Sequence, residues 1–337
     1  MDADMPDSHA GRRAVGNGIK EGAAFFRQRF WQGIVCALAG AALWGFSGAC
    51  AQYLLTNYDI TPSFITAVRM LGAGVFFIAV LGVCRREQLK AMVLDRRTFG
   101  RLVVFGAGGL YLCQITYAVV VSYTNAGTAT VLQCTGIAFV MLFSFVIGRR
   151  IPRAKELVGL VSAMAATWLI ATQGDPAALS LPLPGLIWGM ANGLSVAFYI
   201  MYPKKMFSRW GSLPVTGVGM FFGGVVATAM WLISGLAGTA PLVPPSFDVS
   251  GVVVLALVVV VGTFAAFALY LHGVSVVGSV KGSLLGAVEP VSATLFSALW
   301  LGTVFTGADW AGFALMIAMI FLVTGEGKRI GKGRVHR

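Results

Sequence analysis

Ten stretches of this sequence run for about 18 residues or more with almost no charge, the length a helix needs to cross a bilayer. They lie at roughly 31–55, 62–83, 99–121, 125–147, 154–173, 184–203, 213–236, 249–272, 281–301 and 308–325. In hydrocarbon every backbone N–H and C=O must be satisfied internally, so runs of this length have to be membrane helices. They occupy about two thirds of the chain, which leaves no room for a sizeable soluble domain. Charged residues make up 11% of the 337 and mean hydropathy is +0.81, against about 25% charged in soluble domains. An ordinary cytosolic enzyme, a disordered regulator and a secreted disulfide scaffold are excluded. The 43 glycines follow no G-X-Y period, which excludes collagen.

The formal charge of +12 raises the question of nucleic acid, and its placement answers it. Lysines and arginines sit in short clusters between apolar runs rather than on a connected basic face, so no nucleic acid is expected as a partner. The clusters alternate with loops that lack them. Arg12, Arg13, Lys20, Arg27 and Arg29 precede the first run; Arg85, Arg86, Lys90, Arg96 and Arg97 follow the second. Arg149, Arg150, Arg153 and Lys155 follow the fourth, Lys204, Lys205 and Arg209 the sixth, Lys281 edges the eighth loop, and the tail is basic. The intervening loops hold Asp59, Asp175, Asp248 and Asp309 and no lysine or arginine. The positive-inside rule then places both termini in the cytoplasm and supports a count of ten, because one helix more or fewer would break the alternation.

The expected organisation is a cytoplasmic segment 1–30, a first five-helix unit 31–173, a second 184–325 and a basic cytoplasmic tail 326–337. Helix 1 reads as a retained signal anchor, since its apolar run is too long for a cleaved signal core. Pro62 and Pro214 fall in first turns, where a missing N–H costs nothing. Gly174-Asp175-Pro176 ends helix 5, and Ser122-Tyr123-Thr124 is so short that helices 3 and 4 must form an antiparallel hairpin. Cys36, Cys50, Cys113 and Cys134 lie inside apolar runs and Cys84 at the edge of one, as packing residues rather than disulfide or metal ligands.

The two units echo one another. Trp44-Gly45 recurs as Trp188-Gly189, 144 residues on, and Pro62 and Gly72 as Pro214 and Gly224 at an offset of 152. At 153, Tyr117, Val121, Ser122, Leu142, Phe143 and Ser144 match Tyr270, Val274, Ser275, Leu295, Phe296 and Ser297. Five helices is an odd number, so the second unit must enter the membrane in the opposite sense. Inverted repeats of this kind expose a central site alternately to the two sides as their halves exchange conformations. The fold expected is therefore an all-α integral membrane protein of ten transmembrane helices in two inverted five-helix repeats.

This plan resembles the EamA-type branch of the drug/metabolite transporter superfamily, over nearly the whole chain from residue 31. The resemblance rests on Trp44-Gly45, on Pro62 with Arg69 seven positions later, on Thr124-Asn125-Ala126-Gly127-Thr128-Ala129-Thr130 entering helix 4, and on Glu289-Pro290 in helix 9. Departures from the family pattern are Gly136-Ile137, where a proline is usual, and Arg149-Arg150 and Thr303-Val304, where a Gly-Glu-Arg-like helix end is usual. The resemblance implies a secondary transporter for export or exchange of amino acids or other small metabolites across a plasma membrane, and favours a bacterial inner membrane and export. No cofactor is implied.

Ionisable residues inside the runs are the best functional pointers, since each costs roughly 2.5–3.5 kcal/mol to insert. They are Arg69, Glu289 and, near a helix end, His272. Pro290 removes the donor for the Gly286 carbonyl, so helix 9 is expected to kink or open beside Glu289. Glu289 reads either as a proton-coupling or substrate-amine site or as a hydrogen-bonded tie between helices. Arg69 reads either as a carboxylate ligand or, preferably, as a structural or gating tie. Trp188, Asn192, Ser195 and Tyr199 share one face of helix 6 and are expected to line a cavity, with Tyr111 and Gln114 from helix 3 and Trp44 and Ser47 from helix 1. The competing reading is interhelical hydrogen bonding with interfacial aromatics. Such a lining suits amino acids, apolar or aromatic ones above all. An exchanger or flippase for phosphorylated or lipid-like solutes is the second reading, with Arg69 too little positive charge for phosphate. Gly45-Phe46-Ser47-Gly48 with His272 fits an intramembrane serine protease only remotely. The partners expected are a small-molecule substrate and the lipid bilayer; a homodimer is admitted without any residue requiring it.

Overall fold

A computed structural model describes residues 8–148, 154–175, 180–239, 241–242, 247–278, 282 and 285–324. Pro176, Lys281, the Arg149, Arg150 and Arg153 cluster and the basic tail lie outside them. There is no strand among the described residues. The first half comprises α1 (Ser8–Asn57), α2 (Pro62–Cys84), α3 (Arg86–Leu94), α4 (Arg96–Val104), α5 (Leu112–Tyr123), α6 (Ala126–Gln133), α7 (Thr135–Gly148) and α8 (Ala154–Thr172). The second comprises α9 (Leu183–Met201), α10 (Lys204–Trp210), α11 (Ser212–Leu236), α12 (Val249–Val259), α13 (Ala266–Val277), α14 (Val288–Leu301) and α15 (Gly307–Thr324). A π-helical segment, Phe105–Tyr111, joins α4 to α5, and another, Val260–Ala265, joins α12 to α13. Helix α1 starts well before residue 31, so part of the expected polar N-terminal segment continues the same helix.

Among the described residues seven helical runs are long and apolar enough to cross a membrane, including Gln28–Asn57, Arg96–Tyr123 and Val249–Val277. Leu157–Thr172, Val288–Leu301 and Gly307–Leu322 are shorter apolar helices. Their outward faces carry exposed Val146, Val161, Met164, Ile187, Leu299 and many like them, far more apolar surface than a water-soluble protein presents. The ends are set by ordinary capping. Thr61 accepts from Phe64 N ahead of Pro62, Asn125 Oδ1 accepts from Thr128 N at 2.8 Å, and Asp248 Oδ1 accepts from Gly251 N at 2.8 Å. Gly302 ends α14 in the left-handed region at φ 65°, a conformation open to glycine at no steric cost.

Helices in lipid gain no hydrophobic drive from meeting one another, so close packing through small residues must hold them. A Cβ on Gly74 of α2 would lie 2.5 Å from Phe221 Cα of α11, and one on Gly224 of α11 would lie 2.5 Å from Leu71 N of α2. Backbones touch at that crossing. Helix α8 pairs with α15 in the same way across the halves; α1 packs on α13 and α14, and α9 packs on α5 and α7. Exchanging the two halves leaves this pattern of neighbours unchanged. Two irregularities repeat as well. At the 153-residue offset Phe105–Tyr111 maps onto 258–264, overlapping the second π segment. The turn at Cys134 between α6 and α7 maps onto the turn at Ala287 before α14. Pro290 accounts for the second break. At the first, Thr135 Oγ1 donates to Leu132 O at 2.6 Å and Cys134 N bonds Val131 O in a tightened turn, so a side chain competes for the helical acceptors.

Candidate functional site

The two breaks meet at the centre of the bundle. Gln133, the last residue of α6, donates from Nε2 to Glu289 Oε1 at 3.2 Å across the interface between the halves. Both side chains face a cavity of about 360 Å³, within the range of small-molecule sites. Helix α1 supplies Trp44 and Gly48, α2 supplies Arg69, and α5 supplies Cys113, Gln114 and Tyr117. Opposite them stand Val196, Tyr199 and Ile200 of α9 and Phe267 and Tyr270 of α13. Leu271, Val274 and Phe207 carry the lining toward the end of the bundle where the basic loops lie.

The aromatic walls are fixed by contacts with each other. Trp44 sits edge-on to Phe267 at 4.7 Å and tilted against Tyr270 at 4.6 Å, while Tyr199 stacks on Phe105 at 5.8 Å. Tyr117 and Thr130 share a hydroxyl hydrogen bond of 3.0 Å, and Tyr270 donates to Gly282 O at 3.1 Å. The Trp44 indole N–H is buried without an acceptor among the described residues. Arg69 is buried; its Nε donates to Thr263 Oγ1 at 3.3 Å and its Nη2 to Ser47 Oγ at 3.4 Å. Those two hydroxyls leave much of the guanidinium free to meet an anion, and no carboxylate among the described residues pairs with it within 4 Å.

One turn beyond Gly48 the cavity is shut at the opposite, acidic end. Gln52 Oε1 accepts from Ala126 N at 2.9 Å and from Ser297 Oγ at 3.1 Å, while its Nε2 donates to Thr303 Oγ1 at 3.0 Å. One side chain thus joins α1 to the start of α6, to α14 and to the loop after it. Farther out, Tyr58 donates a short hydrogen bond to Asp248, which holds that carboxyl below its usual range and pushes the phenol up to about 12.

Of the residues expected in the cavity, the structure brings together Trp44, Gln114, Tyr199, Arg69 and Glu289. Pro290 lies behind Glu289, in the wall of a second, adjoining chamber. The rest need correction. Trp188 is 40% exposed, and Asn192 turns to α5, donating to Cys113 O at 2.8 Å and Thr116 Oγ1 at 2.9 Å. Ser195 donates back to Ala191 O, and Tyr111 packs into the surrounding apolar core. The four helix 6 residues do share a face, but α9 lays that face along α5, and only its last turns reach the cavity. Ser47 is a buried partner of Arg69 rather than a lining residue. It is not paired with His272, which is exposed on α13, so the protease arrangement is not assembled. Gly45 and Gly48 answer to packing instead: a Cβ would lie 2.0 Å from Ser292 Oγ at the first and 2.4 Å from the Tyr117 hydroxyl at the second. Sequence reasoning missed Gln133 and the cavity role of Tyr270. An amide inside the apolar run of helix 4, and a tyrosine repeating Tyr117, were the available signals.

A family model for EamA-like transporters matches twice, over residues 31–172 and 183–325. The chain belongs to the EamA-like transporter family. It is 32% identical over 300 residues to the uncharacterized inner membrane transporter YicL of Salmonella typhimurium, covering 88% of this chain and 97% of that protein. It is 22% identical over 288 residues to the uncharacterized transporter YwfM of Bacillus subtilis, covering 85% and 92%. A solved crystal structure shares the fold at a TM-score of 0.59 and 17% identity, covering 86% of this chain and 95% of its own. This EamA-like chain is a multi-pass membrane transporter of the bacterial inner membrane. Its two matched segments, between them, supply every helix that lines the cavity.

Proposed function

We propose that this protein exports amino acids with apolar or aromatic side chains by alternating access, through ten membrane helices with both termini in the cytoplasm. One observation carries the reading. A buried cation, Arg69, and a half-buried acid, Glu289, open into the same aromatic-walled cavity. A zwitterion presents an anion and a cation a few ångströms apart on an otherwise small body. Its carboxylate meets the fork of Arg69, its ammonium meets Glu289, and its side chain lies among Trp44, Tyr117 and Phe267. A lone guanidinium beside a carboxylate suits a doubly charged phosphate poorly. Export is the direction that the family resemblance favours, and the basic end of the cavity is then the loading side.

Counterflow in proteoliposomes tests this. Loaded with leucine, phenylalanine or tryptophan, wild-type vesicles should take up the labelled amino acid saturably, and faster against a set pH gradient. Uptake confined to phosphorylated or lipid-like solutes would overturn the reading.

A further inference from the structure

The central cavity has a neighbour. A second chamber of about 330 Å³ shares Gln133, Glu289, Tyr270, Val196 and Ile200 with it, so the two are adjoining rooms with a common partition. The partition is where the two helix breaks meet, at Cys134 and Ala287. Beyond it the character changes. Ile137, Val140 and Met141 of α7, Pro290 of α14 and Ile320 of α15 form the far wall, with no charged group among them. Arg69 therefore lies on one side only, Glu289 and Tyr270 stand in the partition, and among the described residues the wall beyond is aliphatic apart from the Cys134 thiol.

We infer that this chamber is a tail subsite, taking the straight aliphatic chain of an amphiphilic amino acid whose charged head sits between Arg69 and Glu289. The inference rests on the proposed amino-acid reading and narrows its substrate class. The occupant follows from continuity. A solute held by its head at Glu289 has two ways to direct a side chain: back among the aromatic rings, or past Gln133 between Val196 and Ile200. The second route suits an unbranched flexible chain, because the passage is ringed by side chains of α6, α9, α13 and α14 and the space behind it is mostly aliphatic. A compact or strongly polar side chain gains nothing from it.

The test is a homologous series. Alanine, norvaline, norleucine and 2-aminooctanoate compete for counterflow of one labelled amino acid in wild type, Val140→Phe and Val140→Ala, and each variant is judged by its own ratio of 2-aminooctanoate to alanine affinity. In wild type each methylene should tighten apparent affinity about fourfold. Val140→Phe puts a ring into the path of a long chain and should collapse the ratio at least tenfold, whereas Val140→Ala should keep it or extend the gain to longer chains. Thermal unfolding in detergent confirms that both variants fold. A flat series in a wild type that transports short amino acids, or an unchanged ratio in folded Val140→Phe, overturns the tail subsite and leaves the proposed function standing. Failure of every amino acid, short or long, to compete or to be transported overturns both.

Discussion

Glu289 and Arg69 occupy one cavity but are held differently, and that difference predicts different phenotypes. Among the described residues Glu289 has one hydrogen-bond partner on its carboxylate, Gln133, and keeps acceptor capacity for a proton or an ammonium group. Glu289→Gln keeps an acceptor oxygen for the ammonium group but not the charge, so it should retain exchange at a raised KM and lose the response to a pH gradient, measured as counterflow with and without the gradient; an unaltered KM and response would make Glu289 a tie between helices. Arg69 is oriented by Ser47 and Thr263, so its fork is aimed before substrate arrives. Arg69→Lys keeps the charge but not the planar fork, and KM for a zwitterion should rise about tenfold or more, the worth of a hydrogen bond to a charged group. An unchanged KM would leave Arg69 a strut. Outside the membrane, Asp95 caps α4 and bonds Arg209 of α10 at 3.1 Å. The Thr98 hydroxyl above all, then the Thr98 and Arg97 backbone N–H groups and Arg209, hold its carboxyl below the usual range. A depressed carboxylate pKa stabilises above the ordinary value and is lost as pH falls through the lowered one. The protection factor of the α10 amides, which removes the intrinsic pH dependence of exchange, should therefore fall in acid in wild type and be low and indifferent to pH in Asp95→Asn.

At the scale of elements, glycine decides how near two helices come. Gly45 of α1 lies so close to α14 that a Cβ would stand 2.5 Å from Ala293 N and 2.6 Å from Glu289 O. Both are backbone atoms, which cannot swing aside. Gly45→Val should lower stability by about 1–3 kcal/mol, visible as a reduced Tm in detergent, whereas Gly82→Ala, with nothing within 4 Å, should not. A Tm for Gly45→Val equal to wild type would mean that the α1–α14 contact is looser than it stands. These elements were unevenly legible in the sequence. Span positions were readable because hydropathy and loop charge are local properties, and the Pro290 break because proline lacks a donor wherever it sits. The break at Cys134 has no proline and depends on which acceptor Thr135 chooses. The π segment Phe105–Tyr111 looks like ordinary Gly-rich helix, and nothing in its composition selects i→i+5 bonding. Periodicity correctly put Trp188, Asn192, Ser195 and Tyr199 on one face of α9 but carries no information about the neighbour that face meets. Gln133 escaped because a single amide changes neither hydropathy nor charge; its meaning appears only when α14 brings Glu289 to it.

For the whole molecule, the cavity reaches toward the basic end while Gln52 closes the acidic end, so the structure is one state of an alternating cycle as proposed above. Gln52 is suited to be the latch of that state because its amide joins α1 to Ser297 and Thr303 in the second half as well as to Ala126 in the first. Three hydrogen bonds at a net 0.5–1.5 kcal/mol each can bias a two-state equilibrium by more than the 1.4 kcal/mol that changes a population ratio tenfold. Removing the amide also leaves the Ala126 N–H at the start of α6 without its partner, which taxes the closed state alone. Gln52→Ala should then populate the outward-open state. Cys113 lines the cavity and serves as the reporter once Cys36, Cys50, Cys84 and Cys134 are replaced by alanine. A membrane-impermeant thiol reagent applied from the acidic side should label Cys113 about tenfold faster in Gln52→Ala than in its parent, and a bound amino acid should protect it in both. Equal labelling rates would mean that closure at this end is carried by helix packing, with the Gln52 amide a bystander to the exchange between states.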